Sequence, residues 1–412
     1  MNAPYLLFAL TVGTVILERV NVLSTISIPQ FTALFFLFLI TIVHLKNNKD
    51  TNVSKRYIFI VYLILLFISF EIISGLINGV SNGIIALLRS RAISLILFFS
   101  GSIGAYNYLL YKNKTQTESL LNIMTLSGIV LLLSLILSSF GLYQLETAVN
   151  TSHRYYLSEL MHYRTSGLLT NFGDLAIWLS LISSIALHLH YVSKQNKFSS
   201  RIFLLLLPFG VIAAESRNVL LALSATIFIY LWRNKSQQLR NTTKYILAVV
   251  FMVLIFAVIT YKFEMLSQMS ATQIELRGRT DTRLDQYVGT LKLLKEFPIL
   301  GAGPGNLTFL IEHVKAGMIE VNVHNIFLQA AARAGIGSIF LLICIIYIGI
   351  RLYSYNQKAT LPSYIWPAYI GFIIAIQFYP PLSYGSPVFW IPLGIYATFA
   401  SQANTKKNRC GR

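Results

Sequence analysis

The chain has 412 residues, of which 55% are hydrophobic and only 12% are charged, and its net charge is +18. A soluble globular domain averages roughly 25% charged residues, so most of this chain is predicted to lie in a membrane. Two cysteines, Cys344 in an apolar run and Cys410 in the basic tail, exclude a disulfide framework and a cysteine-cluster metal site.

Twelve apolar stretches are candidates for helices that cross a ~30 Å hydrocarbon core. They are continuously apolar rather than alternating, which favours helices over a closed barrel. The first lacks a basic start and a cleavage site, so we expect it to be retained as an anchor. The sequence predicts an all-α integral membrane protein, with a single polytopic domain over residues 1–412. The stretches lie near residues 4–22, 29–45, 57–79, 91–111, 117–141, 170–191, 200–214, 217–232, 245–262, 324–350, 362–379 and 385–402.

Basic residues alternate between the two sides of this predicted topology. Nineteen of the 33 lysines and arginines fall in six alternate segments, which the positive-inside rule assigns to the cytoplasm. Both termini are then cytoplasmic, and the positive charge orients a membrane protein. Nucleic acid is therefore not expected as a partner. The longest segments on the opposite side are residues 142–169 and 263–323.

Ten arginines fall on the outer side, where the orientation rule does not explain them. Arginine is well suited to bidentate contacts with phosphate and carboxylate, so we predict an anionic ligand on this face. The alternative for any one of them is that it reaches lipid headgroups. The ten are Arg19, Arg89, Arg91, Arg154, Arg164, Arg217, Arg277, Arg279, Arg283 and Arg333.

The outer segment 263–323 contains a predicted amphipathic helix from Thr280 to Glu296, which Pro298 and Gly301 end. Arg283 lies in its first turn, where the helix dipole disfavours a cation and favours an anion beside it. The alternative is that Arg283 pairs with a neighbouring carboxylate. The apolar stripe of the helix comprises Leu284, Tyr287, Val288, Leu291 and Leu294.

Two further outer arginines precede predicted helices. Arg217 follows Ser216, a predicted N-cap, and its alternative partner is Glu215. Arg164 precedes the helix predicted to begin near Asn171.

The glycine-rich segment 301–305 includes Gly303. It either brings backbone amides to a phosphate or forms a turn, and the turn is favoured.

His324 and Asn325 open the tenth predicted span at its outer end. The helix dipole there favours a neutral imidazole, which suits general-base activation of a hydroxyl. The alternative is that the two residues only cap the helix. We predict no metal site, because no cluster of histidine and carboxylate residues has metal-ligand spacing.

Several of these residues together resemble the O-antigen ligase and O-antigen polymerase superfamily. His324-Asn325 followed by nine residues and Gly335 is similar to its signature. Arg283, Arg217 and the P-x-x-G-x-G turn from Pro298 to Gly303 accompany it. Ser338 departs from the ligase pattern, which usually has a second glycine after Gly335.

The resemblance implies a metal-independent, cofactor-free glycosyltransferase of the GT-C type in the bacterial inner membrane, with a helical periplasmic cap. Its donor would be an undecaprenyl-diphosphate-linked glycan. Its acceptor would be lipid A-core for a ligase, slightly favoured here, or a lipid-linked glycan for a polymerase. His324 would be the general base, and Arg283 and Arg217 the diphosphate clamp. We expect Arg164, Arg279, Asn325 and Gly303 to contribute to substrate binding.

Two other functions stay open at this stage. A protein O-oligosaccharyltransferase would share these motifs. A polysaccharide transporter or flippase would instead show internal repeats and charges near the bilayer midplane, whereas most charges here are predicted at span ends.

Overall fold

The computed structural model shows a nearly all-helical protein. The residues it describes are 3–17, 21–23, 26–47, 54–78, 83–110, 114–140, 149–157, 160–165, 167–169, 172–193, 197–214, 216–233, 283–304, 325–358, 361–378 and 386–402.

The α-helices in these residues follow one another with few strands between them. They are α1 (Ala3–Gly13), α2 (Ile28–Asn47), α3 (Lys55–Asn78), α4 (Ile84–Gly104), α5 (Lys114–Ser139), α6 (Phe172–Tyr191), α7 (Lys197–Ala214), α8 (Arg217–Arg233), α9 (Arg283–Glu296), α10 (Ile326–Ala334), α11 (Ser338–Gln357), α12 (Ile365–Ile376) and α13 (Pro387–Gln402). A π-helical segment, Ala105–Leu110, continues α4, and 3₁₀ turns cover Val15–Leu17 and Gly335–Gly337.

A helix lies at eleven of the twelve predicted spans, and the remaining span, 245–262, lies outside the described residues. By length and composition, six apolar helical stretches in the described part of the chain can cross a membrane. The number of crossings stays a prediction. The six are Lys55–Asn78, Ile84–Leu110, Thr115–Ser139, Phe172–Tyr191, Lys197–Ala214 and Ile326–Gln357.

Helix α6 lies at the centre of the bundle. Nearly all of its residues are buried, and it packs against α5, α7, α8 and α12. A helix that is apolar around its whole circumference is stable only when other helices surround it, so this composition places α6 in the core.

Helices α4 and α13 pack closely against each other. A Cβ atom on Gly101 would lie 2.2 Å from the Ile391 carbonyl oxygen, and one on Gly394 would lie 2.1 Å from the Phe98 oxygen. Ser102 then donates a hydrogen bond to Gly394 O at 3.1 Å. Small residues that let two backbones approach this closely are typical of helix packing in membranes.

One prediction about the fold was wrong in detail. The first span was expected to reach residue 22, but α1 ends at Gly13, and Thr14 bonds back to Leu10 O at 2.7 Å. Glycine followed by β-branched residues disfavours continuation of a helix.

The chain is also not purely helical. A short hairpin joins β1 (Asn21–Leu23) to β2 (Ile26–Ser27), and a longer one joins β3 (Val149–Leu157) to β4 (Leu160–Thr165). The longer hairpin lies in the outer segment 142–169, where the tyrosines Tyr155 and Tyr156 favour strand over helix.

Candidate functional site at the start of a short helix

The tenth predicted span is not one helix. Its first part, α10, has nine residues and is separated from α11 by the 3₁₀ turn Gly335–Gly337. Asn325 caps α10, since its Oδ1 accepts hydrogen bonds from Phe327 N at 2.9 Å and Leu328 N at 3.1 Å. This satisfies two amides that a helix start leaves without partners. His324 lies just outside the described residues.

The side-chain amide nitrogen of Asn325 connects α10 to α12. Asn325 Nδ2 donates to Gln377 Oε1 at 3.1 Å and to Gln377 O at 3.4 Å. Helix α12 ends at Ile376, so Gln377 is the first residue beyond it. The cap of one helix therefore bonds directly to the end of another.

Helix α8 begins at the same place. Asn218 Nδ2 donates to Ala375 O at 3.3 Å, two residues before the Gln377 contact. Arg217, the residue before Asn218, is exposed. Ser216 caps α8 as predicted, through a long contact of 3.5 Å from Val219 N, and Glu215 lies outside the described residues. The starts of α8 and α10 thus meet at the end of α12.

Helix α9 covers Arg283–Glu296 and ends where the sequence predicts, whereas its predicted start, Thr280, lies outside the described residues. Its buried face differs from the predicted one. Leu291 was expected in the apolar stripe and is 54% exposed, whereas Leu293 is 1% exposed. The buried residues Leu293, Ala302 and Ala332 form a small cluster. Tyr287, Phe297 and Leu328 pack against that cluster. Within the described residues α9 packs mainly against α10, so its buried face differs from the stripe defined by all its apolar residues.

The turn after α9 interlocks with the end of α10. Ala302 N donates to Ala332 O at 2.8 Å, and Ile336 N donates to Ile299 O at 3.1 Å. Gly301 and Gly335 both have positive φ angles, of 69° and 53°. A Cβ atom on Gly335 would lie 2.5 Å from Gly301 N, and one on Gly301 would lie 2.7 Å from Gly335 N. Only glycine both adopts a positive φ angle readily and leaves room for this close approach of the two backbones.

This interlock decides between the two interpretations of the glycine-rich segment for two of its amides. Gly301 N donates to Phe297 O at 2.9 Å, and Ala302 N is bonded to Ala332 O, so neither amide faces a phosphate. Asn78, the last residue of α3, also donates to Gly301 O at 2.8 Å. Gly303 is buried with a φ of 93°, and its predicted role in substrate binding stays a prediction.

Two of the ten outer arginines have an internal partner that the sequence analysis missed. Arg91 of α4 donates from Nη2 to Glu71 Oε1 at 2.8 Å, and its Nε lies 2.6 Å from Oε2. Arg333 Nε of α10 lies 2.6 Å from Oε1 of the same carboxylate. All three residues are buried. Arg91 and Arg333 therefore hold a carboxylate of the protein itself, and the prediction that they face an anionic ligand was wrong.

The expectation that charges lie at span ends was also wrong for these three residues. Glu71 lies well inside α3, an apolar helix, and that position was the available signal. A carboxylate inside a membrane span is expected to pair with a cation.

Arg164 is not at a helix start. It lies on β4, which packs beside α5 and α7, and α6 begins only at Phe172. The side chains of Arg164 and Arg283 lie outside the description, as do residues 277 and 279. No group of three or more histidine, cysteine or carboxylate residues that could hold a metal ion occurs within the described part of the chain.

The helices and the position of their polar ends define a class of protein. A nearly all-helical chain with several apolar helices of spanning length, and with polar helix starts gathered at one end of α12, is a multi-pass membrane protein.

The family whose model matches the chain is described as O-antigen ligase, and the match covers residues 202–343. This range contains most of α7, all of α8, α9 and α10, and the beginning of α11. It confirms the resemblance to the O-antigen ligase and polymerase superfamily, and it supports a function of that type. A comparison with curated proteins found no match.

Proposed function

We propose that the protein is a glycosyltransferase that moves an undecaprenyl-diphosphate-linked glycan onto an acceptor hydroxyl at the periplasmic face. The observation that carries the proposal is the meeting of two helix starts at one helix end. Asn218 bonds to Ala375 O, and Asn325 bonds to Gln377. Arg217 and His324 are the residues directly before these two asparagines.

The electrostatics of this arrangement favour an anion. The N-termini of α8 and α10 each carry a partial positive charge, and the exposed guanidinium of Arg217 adds a full one. Arg283 at the start of α9 is the second clamp residue of the proposal. The packing of α9 against α10 supports its approach to the same region.

The proposed chemistry is displacement of the lipid diphosphate from the anomeric carbon by the acceptor hydroxyl. His324 takes the proton of the hydroxyl as the new C–O bond forms and the bond to the diphosphate oxygen breaks. Negative charge then grows on the diphosphate, where Arg283 and Arg217 stabilise it without a metal ion. Asn325 holds the helix start beside the base, and Arg164, Arg279 and Gly303 contact the substrates.

Transfer to lipid A-core, the ligase reaction, remains slightly favoured by the His-Asn signature. Transfer to a lipid-linked repeat, the polymerase reaction, is the alternative. Lipid-glycan profiles of a deletion strain separate them. Loss of attachment with intact polymer on undecaprenyl diphosphate indicates a ligase, and a single attached repeat indicates a polymerase. The proposed setting is the bacterial inner membrane, with both termini cytoplasmic.

The decisive test is transfer by the purified full-length protein, with each acceptor class offered separately to the lipid-linked donor. Arg217→Ala is expected to lower kcat roughly 100-fold, the usual effect of removing one preorganised donor. Arg89→Ala is the matched control, because Arg89 is also an exposed arginine but lies on α4. Equal activity of the two variants would remove Arg217 from the site.

A further inference from the structure

The ion triad of Glu71, Arg91 and Arg333 joins three helices that are distant in sequence. Glu71 lies on α3, Arg91 on α4 and Arg333 on α10. The Glu71 side chain is fully buried, and those of Arg91 and Arg333 are 2% and 7% exposed. A buried charge pair of this kind is strongly destabilised when one partner is removed, so its geometry is closely constrained.

Within the triad, the contacts of Arg91 orient Glu71, and Glu71 in turn contacts Arg333. Arg91 contacts both oxygens of Glu71: its Nη2 donates to Oε1 at 2.8 Å, and its Nε lies 2.6 Å from Oε2 in an ion pair. Two contacts to one carboxylate restrict its orientation more than a single contact does. The oriented Oε1 then lies 2.6 Å from Arg333 Nε. Arg91 thus positions Glu71, and Glu71 positions Arg333.

Helix α10 depends on such contacts for its orientation. The turn Gly335–Gly337 separates it from α11, so the long helix does not set its direction. A Cβ atom on Gly337 would lie 2.3 Å from Phe70 Cβ, which puts this break directly against α3 beside Glu71. Besides the triad, α10 is held by Asn325 at its start and by the interlock at Ala332 and Gly335 at its end.

A small rotation of α10 at Arg333 produces a large displacement at the other end of the helix. Eight residues separate Arg333 from Asn325, which is about 12 Å of helix. A rotation of about 10° at Arg333 would move the start of α10 by about 2 Å over that length. Misplacement of a catalytic group by about 1 Å can lower a rate on the order of 100-fold.

We propose that Glu71 is a positioning residue for glycan transfer, which acts through Arg333 to set the direction of α10 and the placement of the His324–Asn325 pair. This inference rests on the proposed function. It assigns to a buried carboxylate, remote from the helix starts, a role in the turnover rate rather than in donor binding.

The test compares kcat and the donor KM of the purified full-length wild type with those of Glu71→Gln, each rate divided by the folded fraction. We expect Glu71→Gln to lower kcat per folded molecule by about 10-fold or more and to leave the donor KM within about twofold. Glu71→Asp keeps the charge and is expected to recover part of the kcat. A purely structural role would change the folded fraction and the unfolding midpoint only.

Arg56→Gln is the matched control. Arg56 donates to the Tyr355 hydroxyl at 2.8 Å and so joins the opposite end of α3 to α11. Its replacement by Gln removes one charge, as Glu71→Gln does. We expect kcat per folded molecule of this variant to stay within about twofold of wild type. Should Glu71→Gln not fold, Arg333→Lys keeps the charge but removes Nε, and the same fall in kcat is expected.

The outcomes separate the inference from the function on which it rests. Wild-type kcat per folded molecule in Glu71→Gln, or in Arg333→Lys where that variant is used, would overturn the positioning role while leaving glycan transfer intact. A wild-type protein that transfers no glycan to any acceptor would instead overturn the proposed function.

Discussion

Replacement of Gly335 by alanine tests the interlock between the turn after α9 and the end of α10. Gly335 has φ 53° and ψ −127°, a conformation that costs a non-glycine residue about 1–3 kcal/mol. The added Cβ would also lie 2.5 Å from Gly301 N and 2.5 Å from Ile299 O. Both are backbone atoms, so the two segments must separate.

Separation removes two hydrogen bonds, Ala302 N to Ala332 O and Ile336 N to Ile299 O. Each contributes about 1 kcal/mol, so with the conformational cost the expected destabilisation by Gly335→Ala is about 3–5 kcal/mol. Gly83→Ala is the control, since Gly83 has φ 79° but no atom within 4 Å of an added Cβ. The control therefore carries only the conformational cost.

The assay is unfolding of both variants in mild detergent, followed by tryptophan fluorescence, together with glycan transfer at a temperature where each is folded. We expect Gly335→Ala to be destabilised by about 2 kcal/mol more than Gly83→Ala, the contribution of the two lost hydrogen bonds. Transfer should fall only in Gly335→Ala, because only that change moves α10. Equal destabilisation of the two variants would refute the close backbone contact.

Three other predictions concern the proposed site. Asn325→Asp keeps the cap of α10 but removes the amide donor to Gln377, so we expect the variant to fold normally and to lose transfer activity. Asn325→Ala should additionally destabilise the protein by about 1 kcal/mol. Wild-type transfer by Asn325→Asp would contradict a role for the contact with α12. His324→Ala and Arg283→Ala should each abolish transfer in vesicles while membrane insertion, measured by protease protection, stays normal; wild-type rates would remove the residue from its proposed role. Transfer should persist within about twofold after treatment with EDTA, since guanidinium groups stabilise the diphosphate in this proposal, and a rate restored only by added Mg²⁺ or Mn²⁺ would contradict it.

Local sequence signals predicted local structure well. Helix α9 ends at Glu296 as predicted, because Pro298 and the glycines after it do not continue a helix. Ser216 and Asn325 cap their helices, because short polar side chains reach the first free amides. These features depend on residues within one or two helical turns of each other, so the sequence alone identifies the residues that interact.

The partners across the fold could not be predicted in the same way. Glu71 is 20 residues from Arg91 and much further from Arg333, and nothing local indicates which arginine reaches it. The starts of α8 and α10 meet because Asn218 donates to Ala375 O in the last turn of α12 and Asn325 donates to Gln377 O just after it. Such pairings depend on helix packing, which hydrophobic periodicity does not specify.

The triad also changes the interpretation of the excess of arginines on the outer face. An anionic ligand was predicted from that excess, with lipid headgroups as the alternative for any one arginine, yet Arg91 and Arg333 are buried against Glu71. Arg217 is exposed at a helix start beside the end of α12. Burial therefore separates Arg91 and Arg333, which organise the helices, from Arg217, which stays open to a ligand. The proposed diphosphate clamp includes Arg217, and the direction of the helix that follows His324 depends on the two buried arginines.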